Sequence, residues 1–127
     1  MSVWYEHRST CFVIHVDERD LTEAVVDPVR QIITIAFLHG QYNLLFDLSS
    51  CGMIDSYFVG LMISTYREVD KLGGTMICGG VRGQVDQAFR VIRLDQLVDI
   101  YPTLDEAIQK MKEVTAGSLE ENHEPYI

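Results

Sequence analysis

An acidic residue and a small hydroxyl residue, Asp55 and Ser56, stand side by side in the stretch GMIDSYFVG, residues 52–60. At the beginning of a helix, either residue can act as a cap, because its side-chain oxygen accepts a hydrogen bond from a free amide of the first turn. An exposed serine hydroxyl can also be phosphorylated, which adds about −1.5 to −2 charges at neutral pH. The pair is therefore either a structural cap or a site at which the protein is modified.

The surroundings of this pair favour a docking surface. Asp47 ends a predicted buried strand, Asp55 follows a short loop, and the first turn of the next predicted helix includes Tyr57. Acidic and aromatic groups gathered where strands end are more typical of a protein contact surface than of a solvated cap. The sequence thus favours a modification site within a protein-binding face.

Two other interpretations of nearby residues are weaker. A hydrolase would use Ser56 as its nucleophile, but Ile54 and Phe58 occupy the glycine positions of the pattern GxSxG. The stretch CGGVRGQ, residues 78–84, lies between a predicted strand and a predicted helix, where helix amides can bind phosphate. It matches neither GxGxxG nor GxxxxGK and carries no lysine. A tight turn is favoured there, with a small nucleotide site at residues 79–83 as the alternative, and the protein is predicted not to be an enzyme.

The composition argues against several classes of function. Ten lysines and arginines against 19 aspartates and glutamates give a net charge of −9, the wrong sign for binding nucleic acid. The three cysteines form no CxxC pair and the four histidines are scattered, so no metal or other cofactor is predicted. The chain has no apolar run of the roughly 20 residues needed to span a membrane, and its N-terminus lacks a secretion-signal pattern. We expect a cytoplasmic protein without a membrane partner.

Short apolar runs bounded by turn residues predict strands. The run YNLLFDL, residues 42–48, is apolar nearly throughout, which is typical of a central strand covered on both faces. The predicted strands are residues 2–7, 10–16, 42–48, 75–81 and 97–101.

Apolar residues at helical spacing predict helices between these strands. In residues 21–38 this periodicity is interrupted by Pro28, so Asp27 as cap and Pro28 in the first position predict that the helix begins there. The stretch TLDE, residues 103–106, is a capping box that begins the last helix. The four predicted helices are residues 28–38, 56–72, 82–97 and 103–113.

The alternation of strands and helices predicts one α/β domain. Alternating elements imply right-handed crossovers and a mixed, mostly parallel sheet of about four to five strands with about four helices packed on it. The first strands are expected to add an antiparallel edge. The predicted domain covers residues 1–115, and the polar residues 116–127 are predicted to form a flexible tail.

Several motifs, taken in order, resemble one known family. FDLSSCGMIDS, VGL and KLGGTMI, residues 46–56, 59–61 and 71–77, resemble the STAS domains of sulphate transporters and anti-sigma-factor antagonists. DERD, residues 17–20, stands where that family usually has Gly-Glu-Leu-Asp, and TLDEAI, residues 103–108, resembles its final helix. The resemblance covers roughly residues 9–111 and depends on the order and spacing of motifs that are individually unspecific.

The resemblance implies a partner-switching regulator. Ser56 matches the serine that a cognate serine/threonine protein kinase phosphorylates, and Asp55 matches the acid that precedes it. Unmodified, such a protein binds that kinase or an anti-sigma factor; phosphorylation releases it, and a PP2C-type phosphatase reverses the change. An accessory STAS subunit of a transport system, with Ser56 only a cap, is the alternative.

Two departures from the family pattern refine this expectation. Tyr57 and Phe58 replace the usual small residue and glycine, as in the small single-domain branch of the stressosome, which implies larger STAS proteins as further partners. Asp17 replaces a glycine, so the conformation of that turn stays open. The predicted partner-binding residues are Asp20, Asp47, Asp55, Ser56, Tyr57, Phe58 and Arg82.

Overall fold

The computed structural model describes residues 2–123, and the side chains of residues 2–116. Its elements alternate as the sequence predicts. In chain order they are β1 Val3–His7, β2 Phe12–Val16, β3 Asp20–Leu21, α1 Glu23–Leu38, β4 Leu44–Asp47, β5 Met53–Ile54, α2 Ser56–Lys71, β6 Met76–Gly79, α3 Gly83–Val91, a 3₁₀ helix Leu94–Gln96, β7 Asp99–Tyr101 and α4 Leu104–His123.

The main sheet contains five strands in the order β1, β2, β4, β6, β7. The first strand is antiparallel to β2, and every other neighbouring pair is parallel. In this register Ile14 pairs with Phe46, and Phe46 pairs with Cys78 on the next strand. The predicted mixed α/β sheet with an antiparallel edge is confirmed.

Helices cover both faces of this sheet. Because side chains alternate between the faces of a strand, Ile14 and Phe46 pack in one apolar cluster with α1, α2 and α3. Their neighbours Val13 and Leu45 pack on the opposite face against Met111 of α4. The central strands are therefore buried on both sides, which explains their nearly continuous apolar sequences.

The first helix begins earlier than its sequence predicts. It starts at Glu23 and contains Pro28 in its interior, so the predicted start at Pro28 is wrong. An interior proline removes one helix hydrogen bond and disfavours the helix by about 3 kcal/mol. Burial of Val25, Val26 and Val29 opposes this cost, at about 1.5 to 3 kcal/mol for each large apolar side chain.

The later helices also differ in their limits. The predicted helix 82–97 ends at Val91, because Arg93 takes the left-handed conformation with φ 61°. A short 3₁₀ turn follows, which buries Leu94. The last helix continues past the predicted end near Glu113 to His123. The domain boundary at residue 115 stays a prediction, and residues 124–127 of the predicted tail lie outside the described residues.

A second, two-stranded sheet was not predicted. Strand β3, within which Asp20 lies, pairs in parallel with β5 in the loop before α2, so that Asp20 lies beside Met53 and Leu21 beside Ile54. Two-residue strands carry no recognisable periodicity, which is why the sequence suggested only a loop. This small sheet holds the residues before Ser56 against the chain that leads into α1.

Candidate functional site

The residues singled out by the sequence follow the carboxyl ends of parallel strands. Strands β2 and β4 end at Val16 and Asp47, so both chains leave the sheet at one edge. The loop after β4 is tied down there, since the Ser50 hydroxyl donates to the Asp17 carboxylate at 2.6 Å. The Gly52 amide donates to the Arg19 carbonyl at 2.7 Å. The approach to α2 is therefore fixed by contacts 33 residues apart in sequence.

Asp55 caps two helices with one carboxylate. Its Oδ1 accepts from the Phe58 amide of α2 at 2.9 Å, and its Oδ2 accepts from the Glu23 amide of α1 at 3.0 Å. The predicted cap is therefore present at Asp55, and it also serves α1, whose own N-cap residue Thr22 makes no side-chain cap. Both carboxylate oxygens are occupied by structural hydrogen bonds.

Ser56 is not the cap. It is the first residue of α2 and is exposed. Its hydroxyl makes no hydrogen bond to any residue for which the structure describes a side chain. A serine in this position can be modified without breaking a contact of the fold, and free amides of the first helical turn favour a nearby negative charge.

A groove between α1 and α2 begins beside this serine. It has a volume of about 400 Å³ and is lined by Ser56 and Tyr57 of α2 and by Asp27 and Arg30 of α1, among others. A second hollow of about 270 Å³ continues along the helices and shares Arg30 with the first. Arg30 is the one cation among the lining residues of either hollow.

The predicted partner-binding residues differ in their exposure to solvent. Tyr57 is 60% exposed at the rim of the groove, whereas Phe58 is 0% exposed and packs in the main apolar core. Phe58 therefore cannot form part of an exposed face in this conformation, and its assignment to the partner-binding set is wrong. The helical turn separates the two aromatic residues, because consecutive residues of a helix point about 100° apart. Asp20 is exposed on β3.

Asp47 belongs to a separate polar cluster. Its Oδ2 lies 2.7 Å from His15 Nδ1, and the other ring nitrogen of His15 lies 2.5 Å from Glu6 Oε2. The Trp4 ring stacks on the imidazole with centroids 5.1 Å apart. The sequence offered one signal for this cluster: a histidine in an otherwise apolar strand, with an aspartate ending the next strand of the sheet.

The two carboxylates favour a charged imidazole. Burial opposes charge on His15, but hydrogen bonds that the protonated ring donates to Glu6 and Asp47, together with the negative charges of these carboxylates, raise the His15 pKa above its ordinary value. Burial also acts to raise the Asp47 pKa, yet hydrogen bonds from Ser49 and His15 leave it below its ordinary value. The His15 hydrogen bond likewise lowers the pKa of Glu6. The cluster thus links the edge strand β1 to the central strand β4.

Arg82 and the glycine turn support the loop after β4. The Arg82 Nη2 donates to the Ser49 carbonyl at 3.2 Å. Gly80 has φ +74°, and a side-chain carbon there would lie 2.6 Å from Cα of Ser49. The space beside Gly80 is filled by the chain itself, which agrees with a tight turn rather than a phosphate cradle.

The cysteines lie apart from these groups. Cys11 and Cys78 are buried free thiols, and Cys51 is partly buried. Burial raises the pKa of Cys78 to about 12. No cluster of three or more potential metal ligands occurs within the part of the chain that the structure describes. Among the described residues, no helix is both long enough and apolar enough to cross a membrane.

Comparison with known proteins places this geometry in a class. A mixed sheet of five strands with four α-helices on its two faces, and a capped serine-bearing helix after the central strand, defines a single α/β domain. The STAS domain profile matches residues 3–107. The chain belongs to the STAS domain family.

Two Thermotoga proteins are similar to this chain, one in sequence and one in structure. A Thermotoga neapolitana protein, named provisionally as an anti-sigma factor antagonist, is 30% identical over 77 residues, which are 60% of this chain and 68% of that protein. The crystal structure of a Thermotoga maritima protein, also named provisionally as an anti-sigma factor antagonist, superposes with a TM-score of 0.73 at 20% identity, covering 87% of this chain and 94% of the other.

A phosphorylated protein has the same fold. The Bacillus cell fate determinant SpoIIAA in its phosphorylated form superposes with a TM-score of 0.68 at 22% identity, covering 85% of this chain and 97% of the other. At this identity the likeness shows the fold alone. The sequence relative, at 30% identity, supports a general role of the anti-sigma factor antagonist type.

Proposed function

We propose that this protein is a partner-switching regulator controlled by phosphorylation of Ser56. The observation that carries the proposal is the division of roles between adjacent residues: Asp55 is fully engaged in capping two helices, while the exposed Ser56 hydroxyl is free beside a groove. The unmodified groove and Tyr57 bind a serine/threonine protein kinase or anti-sigma factor. Phosphorylation releases that partner, and a PP2C-type phosphatase restores binding.

The added phosphate acts locally. It places about −1.5 to −2 charges at the mouth of a groove already lined by Glu23 and Asp27. An acidic or closely packed partner surface is repelled there, while α2 itself tolerates the charge at its N-terminus. A loss of about 3 kcal/mol of binding free energy weakens binding more than a hundredfold. No refolding of the domain is needed.

The exposed Tyr57 indicates the kind of surface that docks. Aromatic residues that are both apolar and hydrogen-bonding are enriched at protein interfaces, and Tyr57 stands at the groove rim next to Ser56. A bulky residue in this position also agrees with a subunit of a larger stressosome assembly, in which related STAS proteins are neighbours. In either setting the protein regulates transcription through its partner and performs no catalysis itself.

Phosphate transfer is the experiment that tests this function. The purified protein is incubated with Mg-ATP and a lysate of its native cells, and intact mass is measured for the wild type and three variants: Ser56→Ala, Ser64→Ala and Ser50→Ala. Ser64 lines the same groove and Ser50 lies in the preceding loop, so both are matched controls. We expect one added phosphate in every protein except Ser56→Ala. Addition of a phosphate to Ser56→Ala would contradict the proposal. So would the absence of phosphate from all four proteins when a known kinase substrate in the same lysate is labelled.

A further inference from the structure

An apolar cavity lies on the face of the domain that carries α4. It has a volume of about 230 Å³ and opens to solvent. Its floor is formed by Val13 of β2 and Leu45 of β4, both 0% exposed. The helix contributes Ile108, Met111, Lys112, Thr115 and Ala116, a stripe at the spacing of one helical face.

The polar groups around this cavity have one sign of charge. Arg8 and Lys112 are among its lining residues, and none of the lining residues with a described side chain is a carboxylate. This is unusual in a chain whose net charge is −9. Arg8 has one ionic partner among the described residues, the exposed Glu6 at 3.4 Å, which is a long and weak contact. Lys112 is exposed and makes no ion pair with a described residue.

The remaining polar lining residues are uncharged, and Ser9 and Thr10 add two hydroxyl groups beside Arg8 in the chain. The Thr115 hydroxyl donates to the Met111 carbonyl of its own helix at 2.8 Å. Cys11 is buried, and burial raises the pKa of its thiol, so it lines the cavity as a neutral, weakly polar group. The interior is therefore apolar, and positive charge is confined to the two residues with exposed side chains.

We infer that this cavity binds a small anionic amphiphile, a straight alkyl chain ending in a carboxylate. The alkyl chain would lie on Val13, Leu45 and Met111, and the carboxylate would meet Arg8 and Lys112 at the mouth. An apolar cavity of about 150 Å³ holds benzene, so the volume here suits a chain of about eight carbons. This site is separated from Ser56 by the sheet and does not depend on the function proposed above.

Octanoate is a suitable probe, since its size and charge match the cavity. Titration into protein labelled with ¹³C at the methionine methyl groups would follow Met111, while the signals of Met53, Met62 and Met76 serve as internal controls outside the cavity. We expect a saturable shift confined to the Met111 methyl. With 1-octanol, which has the same chain without charge, we expect affinity about fivefold weaker.

Variants at positions outside the buried core separate binding from folding. Ala116→Trp covers the mouth and is expected to abolish the Met111 shift, whereas the double variant Arg8→Gln with Lys112→Gln should weaken octanoate about fivefold and leave 1-octanol unchanged. Lys110→Gln removes a charge from the same helix away from the cavity and should change nothing. Equal affinity for octanoate and 1-octanol, or no saturable shift of Met111 in a folded wild type, would overturn the proposal.

Discussion

At the scale of single residues, adjacent side chains have opposite roles. Asp55 is structural, because its two oxygens accept hydrogen bonds from the amides of Phe58 and Glu23. Ser56 contributes an exposed hydroxyl with no such contact. The sequence could show that a cap was present, since aspartate before an amphipathic run is a common helix start. It could not show that one carboxylate serves two helices.

The first prediction concerns this double cap. Asp55→Ala removes both hydrogen bonds, and since each cap is worth about 1 kcal/mol, we expect the free energy of unfolding to fall by about 2 kcal/mol in urea denaturation. Ser56→Ala should change it by less than about 0.5 kcal/mol. Equal effects of the two substitutions would show that the cap assignment is wrong.

The second prediction concerns pH. The pKa of His15 is raised in the folded protein, against about 6.5 when unfolded. Its stabilising contribution is therefore complete below about pH 6.5 and is lost as the pH rises through the folded-state value. We expect the stability difference between wild type and His15→Gln to shrink from about pH 6 to about pH 9. Urea denaturation of both proteins at pH 6 and at pH 9 measures this stability difference. A difference that grows with pH would contradict a raised His15 pKa.

The third prediction concerns the glycine turn. Gly80→Ala introduces a carbon 2.6 Å from Cα of Ser49, at φ +74°, whereas Gly83, with φ +57°, has open space around it. Both substitutions strain the backbone, but only the first forces the loop after β4 to move. We expect Gly80→Ala to lose at least about 2 kcal/mol more stability than Gly83→Ala. Similar losses in thermal or urea unfolding would exclude the collision.

At the scale of elements, the groove between α1 and α2 depends on contacts that cross the sequence. The predicted helix start at Pro28 was wrong because the amide of Glu23 is capped by Asp55, 32 residues away. Local sequence carries no signal for a cap supplied from another helix. The clear periodicity of α2 did predict its limits. Phe58 packs in the core although Tyr57 is exposed, because consecutive residues of a helix point about 100° apart.

The fourth prediction concerns Arg30 within this groove. A phosphate on Ser56 would share the groove with Arg30, which should favour its dianion, and with Glu23 and Asp27, which should oppose it. Substitution of Arg30 therefore isolates the effect of the one cation on the second pKa of the phosphate, which is ordinarily about 6. Phosphoserine can be installed at position 56 during synthesis, and ³¹P NMR titration measures that pKa. We expect Arg30→Gln to raise it by a few tenths of a unit. Arg67→Gln, on α2 but outside the groove lining, is the control, and equal shifts from both would exclude a specific contact.

At the scale of the whole molecule, alternation of strands and helices was enough to predict the class of fold. The apolar runs of β4 and β6 indicated strands buried on both faces, and the structure covers them with α1 and α2 on one side and α4 on the other. The cluster of Glu6, His15 and Asp47 could not be derived in this way, because it requires the register of three strands. The order of the sequence motifs indicated the STAS family, and the match of the STAS domain profile confirms it.

The proposed function requires that phosphate on Ser56 switch partner binding. The most direct measurement is calorimetric titration of the kinase that modifies Ser56 with two otherwise identical proteins, one unmodified and one carrying phosphoserine at position 56. We expect the unmodified protein to bind and the phosphorylated one to bind at least about a hundredfold more weakly. Equal affinity of the two forms would contradict it, as would tighter binding of the phosphorylated form.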